Sequence, residues 1–125
     1  MLQVQNIRSQ KILGTQIRCA QSFRDRLIGL LSTKELPHNK GLWITPCRSI
    51  HTFFMKFSID VLFLSDQMEV IKMHSNMKPF RITPCYSKAK TVLELPSGTI
   101  HSSQTQLGDI LSITNTSQKQ DGRKS

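Results

Sequence analysis

The chain has 125 residues, 38% hydrophobic and 20% charged, which allows one compact domain and excludes two. Seventeen Lys and Arg against eight Asp and Glu give a formal charge of +9. That balance favours solubility and attracts anions non-specifically. Arg, Lys, Asp and His interrupt every hydrophobic run, so nothing approaches the roughly 20 apolar residues of a membrane-spanning helix.

In chain order, residues 2–7 and 11–19 place Val, Ile and Leu near alternating positions and predict two short strands. Ser22 then reads as a helix cap with Asp25 three residues on. Phe23, Leu27, Leu30 and Leu31 follow at i, i+4, i+7 and i+8, the spacing of a short amphipathic helix. Gly29, unfavourable inside a helix, predicts close packing against a strand there. A polar loop over 37–41 leads into the apolar Leu42-Trp43-Ile44, which Pro46 stops. Residues 49–57, rich in Thr, Ile and Phe, carry no helical period and predict an extended segment. Residues 59–64 form a nearly continuous apolar run, as in a strand buried on both faces. A turn at 65–67 returns the chain as a hairpin partner over 68–73. Residues 74–90, with Pro79 and Pro84, read as a long irregular connection. A strand over 91–95, a helical turn at 104–108 closed by Gly108, and a last strand at 109–113 complete the pattern.

Many short strands and one clear helix predict a mainly β domain over residues 1–113, a single jelly-roll-like sandwich or barrel. The composition of residues 114–125 predicts a polar disordered tail. No dinucleotide glycine pattern, phosphate loop, zinc-finger spacing or nucleophile elbow occurs, so no cofactor is expected. The first 18 residues carry Arg8, Lys11 and Arg18 and no apolar core of a secretory signal, and a cytoplasmic location is expected.

Several blocks together carry a resemblance: Arg26-Leu27-Ile28-Gly29-Leu30-Leu31; Gly41-Leu42-Trp43; the stretch around Phe54-Met55-Lys56 and Ile59-Asp60-Val61; Val92-Leu93-Glu94-Leu95-Pro96-Ser97-Gly98-Thr99; and Leu107-Gly108-Asp109. In order and spacing they resemble the domain-of-unknown-function 192 family over about residues 22–112. The resemblance implies a compact, mostly β domain related to jelly-roll sandwiches and points to no particular activity. Ser58 departs from it, standing where a Pro often precedes the Ile-Asp pair.

Three sets of residues are candidates for function. The first is a small polar or anionic ligand site at one end of the sheet. Arg26, His51, Lys56 and Asp60 would supply its polar contacts, with Trp43 and Phe54 as apolar walls. Arg26 is suited to clamp an anion bidentately, or to pair with Asp60, whose carboxylate opens an apolar strand and needs a partner such as Arg26 or Lys56. In an extended strand His51, Phe53, Met55 and Phe57 would share one face, and Thr52, Phe54 and Lys56 the other. The second set is a basic loop over 72–90, in which Lys72, Lys78, Arg81, Lys88 and Lys90 alternate with Phe80 and Tyr86 and no acid occurs. Phosphate contact with base stacking would make it a nucleic-acid or acidic-partner surface. The third is a thiol or metal centre of Cys47, His51 and Cys85, suggested by the repeat of Thr45-Pro46-Cys47 as Thr83-Pro84-Cys85. Buried, inert thiols are the first expectation for these cysteines, ahead of either centre.

Overall fold

The computed structural model describes residues 1–20, 36–53 and 55–115, and within them the chain is almost entirely β. The strands are β1 (Leu2–Asn6), β2 (Ile12–Ala20), β3 (Lys40–Ile44), β4 (Ile59–Leu64), β5 (Val70–Met77), β6 (Thr91–Pro96) and β7 (Leu111–Asn115), with one helical turn, α1 (Thr99–Ser102). They form a single seven-stranded sheet in the order β5-β4-β6-β3-β2-β1-β7. All neighbours are antiparallel except β2 and β3, which run parallel and so cannot be joined by a hairpin.

The sheet curls until its two outermost strands meet. Glu69 bridges Ile110, the Val70 N–H donates to the Asp109 carbonyl at 2.8 Å, and the Gly108 N–H donates to the Val70 carbonyl at 2.8 Å. The expectation of a mainly β sandwich or barrel therefore holds in its second form, as one curled, partly closed sheet. The reason lies in β4, where all six residues are buried. Leu62 and Leu64 point into the curl with Val4, Ile17, Trp43, Leu93, Leu95 and Leu111. Ile59, Val61 and Phe63 point outward and pack with Leu42, Ile44, Val92, Ile50 and Met55. The strand is covered on both faces by one chain, which accounts for its unbroken apolar run.

The outer cover is an irregular ribbon made of two segments that run antiparallel, near residues 47–52 and 80–90. The Cys47 N–H donates to the Lys90 carbonyl and the Tyr86 N–H to the Arg48 carbonyl, at 2.8 and 2.9 Å. Thr83 and Ile50 exchange bonds through backbone and hydroxyl, and the Thr52 N–H donates to the Arg81 carbonyl at 2.9 Å. Side-chain hydroxyls replace part of a regular ladder, so residues 49–57 do not form the expected strand. Among the described residues there, only His51, bridged to Ile82, is β-paired. The supposed loop from 74 is shorter too, because β5 continues to Met77. The helical turn falls at Thr99–Ser102 and not at 104–108, although Gly108 does take a left-handed φ of 91°. β7 extends to Asn115. The expected helix over 22–31 lies outside the described residues, and of the expected tail over 114–125 only residues 114 and 115 are described, which belong to β7.

Candidate functional site

The described residues of the expected ligand pocket, Trp43, His51, Lys56 and Asp60, do not line one pocket. Trp43 is buried in the inner cluster. Asp60 is fully buried, and its carboxylate accepts three backbone N–H groups: Asn76 at 2.8 Å, Gly98 at 3.1 Å and Ile100 at 2.8 Å. It ties the end of β5 to the turn before α1, and neither a salt bridge to Lys56 nor a pocket corner is its role. His51 lies half-buried in the outer ribbon, its ring stacked on Phe53 at 4.8 Å, and Lys56 is exposed on the bend after it. Met55 is buried while Phe53 is exposed, so the strand-like sharing of faces expected over 51–57 does not occur. Arg26 and Phe54 lie outside the described residues.

The cysteines do not assemble a centre. Cys47 is half-buried against the outer core cluster, its thiol donating to the Ser49 carbonyl at 3.2 Å, while Cys85 and Cys19 are exposed and none of the three is in a disulfide. Among the described residues no three His, Cys, Asp or Glu side chains gather to hold a metal ion.

The basic segment divides into two clusters at opposite ends of the β4–β5 hairpin. Lys78 and Arg81 lie where Met77 meets Ile59, at the turn held by Thr52. Lys88 and Lys90 lie at the other end, where the Lys90 N–H donates to the Leu64 carbonyl at 2.8 Å. There Pro46 and Arg48, the β4–β5 turn of Ser65, Asp66 and Gln67, and residues 87–90 line an open groove of about 540 Å³. Its walls are joined through Lys90, whose carbonyl accepts from the Cys47 N–H while its N–H reaches β4. Arg48, Ser65 and Ser87 were not singled out in the sequence. Their nearness follows from β3 ending, β4 ending and β6 beginning on one side of the sheet.

A second groove of about 340 Å³ adjoins the first, sharing Ser87 and Lys88 and adding Ile71, Lys72, Cys85 and Tyr86. The Lys72 ammonium lies over the Tyr86 ring, 5.7 Å from its centre, and the Tyr86 hydroxyl is 3.0 Å from His74 Nε2. Burial, with the charge of Lys72 adding to it, pushes the His74 pKa below its ordinary value. A neutral His74 therefore steadies Tyr86 as the wall between the groove and Phe63, whose ring meets Tyr86 edge-on at 4.7 Å.

The electrostatics of this end are mainly basic, with Asp66 the one carboxylate among the described residues that line the groove. Asp60, Glu94 and Asp109 are buried, so of the described acids only Asp66 and Glu69 face solvent to any extent. Glu94 sits on the outward face in register with Leu42 and Val61, a second buried carboxylate the sequence reading passed over. Among the described residues the one ion pair is Arg8 with Asp109, at 2.7 Å. Among the described residues no carboxylate forms an ion pair with Arg48, Lys72, Lys88 or Lys90, which leaves their charges to attract an anion.

A family model, described as an uncharacterised group, matches residues 4–113, nearly the whole β domain. The chain belongs to the DUF192 family. Its DUF192 relatives include a UPF0127 protein of Pyrococcus horikoshii, 35% identical over 99 residues, which are 75% of this chain and 84% of that one. Another, from Pyrococcus furiosus, is 31% identical over 111 residues, 85% of this chain and 93% of its own. The fold is shared with a protein of unknown function from Novosphingobium aromaticivorans, solved by crystallography. The two superpose with a TM-score of 0.73 at 18% identity, covering 89% of this chain and 82% of that one. In this chain the block around residues 49–64 contributes to the outer ribbon and β4, and the Val92–Thr99 block builds β6 and the Asp60-bound turn.

Proposed function

We propose that this DUF192 protein binds a small anionic molecule, phosphorylated or carboxylated, in the groove at the end of the sheet. One observation carries the reading: Arg48, Lys88 and Lys90, against the single carboxylate of Asp66, line one groove of about 540 Å³ together with the hydroxyls of Ser65 and Ser87. Guanidinium and ammonium groups with hydroxyl donors are what phosphate or carboxylate oxygens accept from. The volume falls in the range of small-molecule sites, roughly 300–1,000 Å³. The walls are hydrogen-bonded to one another through the Lys90 backbone, which limits the ordering a ligand would have to impose.

Calorimetric titration with inorganic phosphate, a sugar phosphate and a dicarboxylate tests it. At least one should bind, and the Arg48→Ala/Lys88→Ala protein, still folded, should bind at least about tenfold more weakly, since each charged hydrogen bond contributes about 1.5–3 kcal/mol. Equal binding by both proteins, or none by either, refutes the assignment.

A nucleic acid is the second reading, favoured by the continuity of the two grooves through Lys88 and by the Tyr86 ring beside Lys72. A strand laid along both would lose affinity steeply with salt, with a slope that grows with the phosphates neutralised, whereas a single small anion would lose much less.

A further inference from the structure

We propose that the far end of the outer ribbon docks this protein onto an anionic lipid surface, through an apolar tip formed by Phe53, Phe80 and Ile82. These side chains are 42%, 70% and 71% exposed. They are presented together, since Ile82 is β-paired with His51, the His51 ring stacks on Phe53, and the Phe80 N–H donates to the Thr52 carbonyl between them at 3.0 Å. Lys56, Lys78 and Arg81 are exposed in the same two segments, and no acid occurs in residues 47–58 or 78–90.

Phe80 is held outward against its own backbone preference. Its φ is 63°, a left-handed conformation that an aromatic L-residue rarely takes. Buried Thr52 imposes it: the hydroxyl accepts from the Arg81 N–H at 2.9 Å and donates to the Lys78 carbonyl at 2.7 Å. An unfavourable backbone that keeps a large apolar side chain in water points to a partner that covers it. The chemistry selects lipid over nucleic acid. Ile82 has no ring for a base to stack on and Phe53 already stacks on His51, but all three side chains gain from entering the acyl boundary. The flanking cations then lie at the level of the lipid phosphates. This surface lies at the opposite end of β4 and β5 from the anion groove, so the two readings stand or fall separately.

The test is co-sedimentation with vesicles of phosphatidylcholine containing phosphatidylglycerol, against phosphatidylcholine alone. The protein should sediment with the anionic vesicles only. Phe80→Asn, which suits the left-handed backbone, should leave the melting temperature unchanged or higher while weakening vesicle binding about tenfold. Ile82→Ser should weaken binding in the same direction and decides the matter if Phe80→Asn proves less stable. The proposal is overturned by a wild-type protein that stays in the supernatant. It is equally overturned by variants that bind vesicles as tightly as the wild type, which would leave only non-specific charge attraction, or by Phe80-dependent binding of a single-stranded oligonucleotide in place of vesicles.

Discussion

Asp109 and His74 both hold protons less readily in the folded chain than outside it, and each adds to its sensitivity to acid. Arg8 Nε at 2.7 Å, with Asn6 and the Gln106 N–H, keeps the Asp109 pKa at about 2 instead of 3.8, outweighing the effect of its burial. That contribution to stability is complete above the unfolded value of 3.8 and is lost as pH falls towards about 2. His74 is lowered from 6.5, so the unfolded chain protonates first and stability declines as pH drops below 6.5. A plot of melting temperature against pH should thus be level above neutrality and descend in two steps. His74→Gln should erase the upper step. Asp109→Asn should erase the lower one and cost about 1–2 kcal/mol at neutral pH. A single step, or steps that survive both substitutions, would contradict this account. At the same scale Asp60 shows what a sequence hides. Its need for a partner was legible from the apolar run it opens, but its partners are backbone N–H groups 16, 38 and 40 residues away, which no side-chain pattern announces.

Thr52 decides the shape of an element more than any periodicity does. The strands β1 to β7 were legible because alternation or a buried apolar run is a local signal, and the β4–β5 hairpin because its turn lies between two such runs. The outer ribbon was not legible. Its order comes from threonine hydroxyls bonding a segment some 30 residues away, and those bonds turn Phe53 out and Met55 in where simple alternation would put both on one face. The ribbon's dependence on one hydroxyl is open to test. Thr52→Val keeps the shape of the side chain and removes both bonds, so it should destabilise the protein by about 1–3 kcal/mol. It should also speed hydrogen exchange at the Arg81 amide far more than at Val61 or Leu93, which the sheet protects. Uniform acceleration throughout the sheet would mean that the ribbon and the sheet unfold as one unit.

Two features of the whole molecule lie beyond short-range pattern: the parallel pairing of β2 with β3, and the meeting of β5 with β7 that converts an open sheet into a curl. Both join distant parts of the chain, and the burial of β4 on both sides is compatible with a sandwich or a curl until those contacts are known. The charge distribution was legible in sum but not in place. The chain carries +9, yet the fold buries Asp60, Glu94 and Asp109, so the solvent sees a more one-sided field than the alternation of charges in the sequence suggests. Like charges held together on a compact surface repel, and separating them favours unfolding. Raising sodium chloride from about 20 mM to about 200 mM shortens the Debye length from about 20 Å to about 7 Å and should therefore stabilise the protein. If screening relieves about 1 kcal/mol, the melting temperature should rise by roughly 3–6 °C in a chain of this size. The same rise should persist in the Arg48→Ala/Lys88→Ala protein in smaller measure, because two of the repelling charges are gone. A melting temperature that is flat or falls with salt would show that attraction, such as the Arg8–Asp109 pair, and not repulsion dominates the electrostatics of the fold.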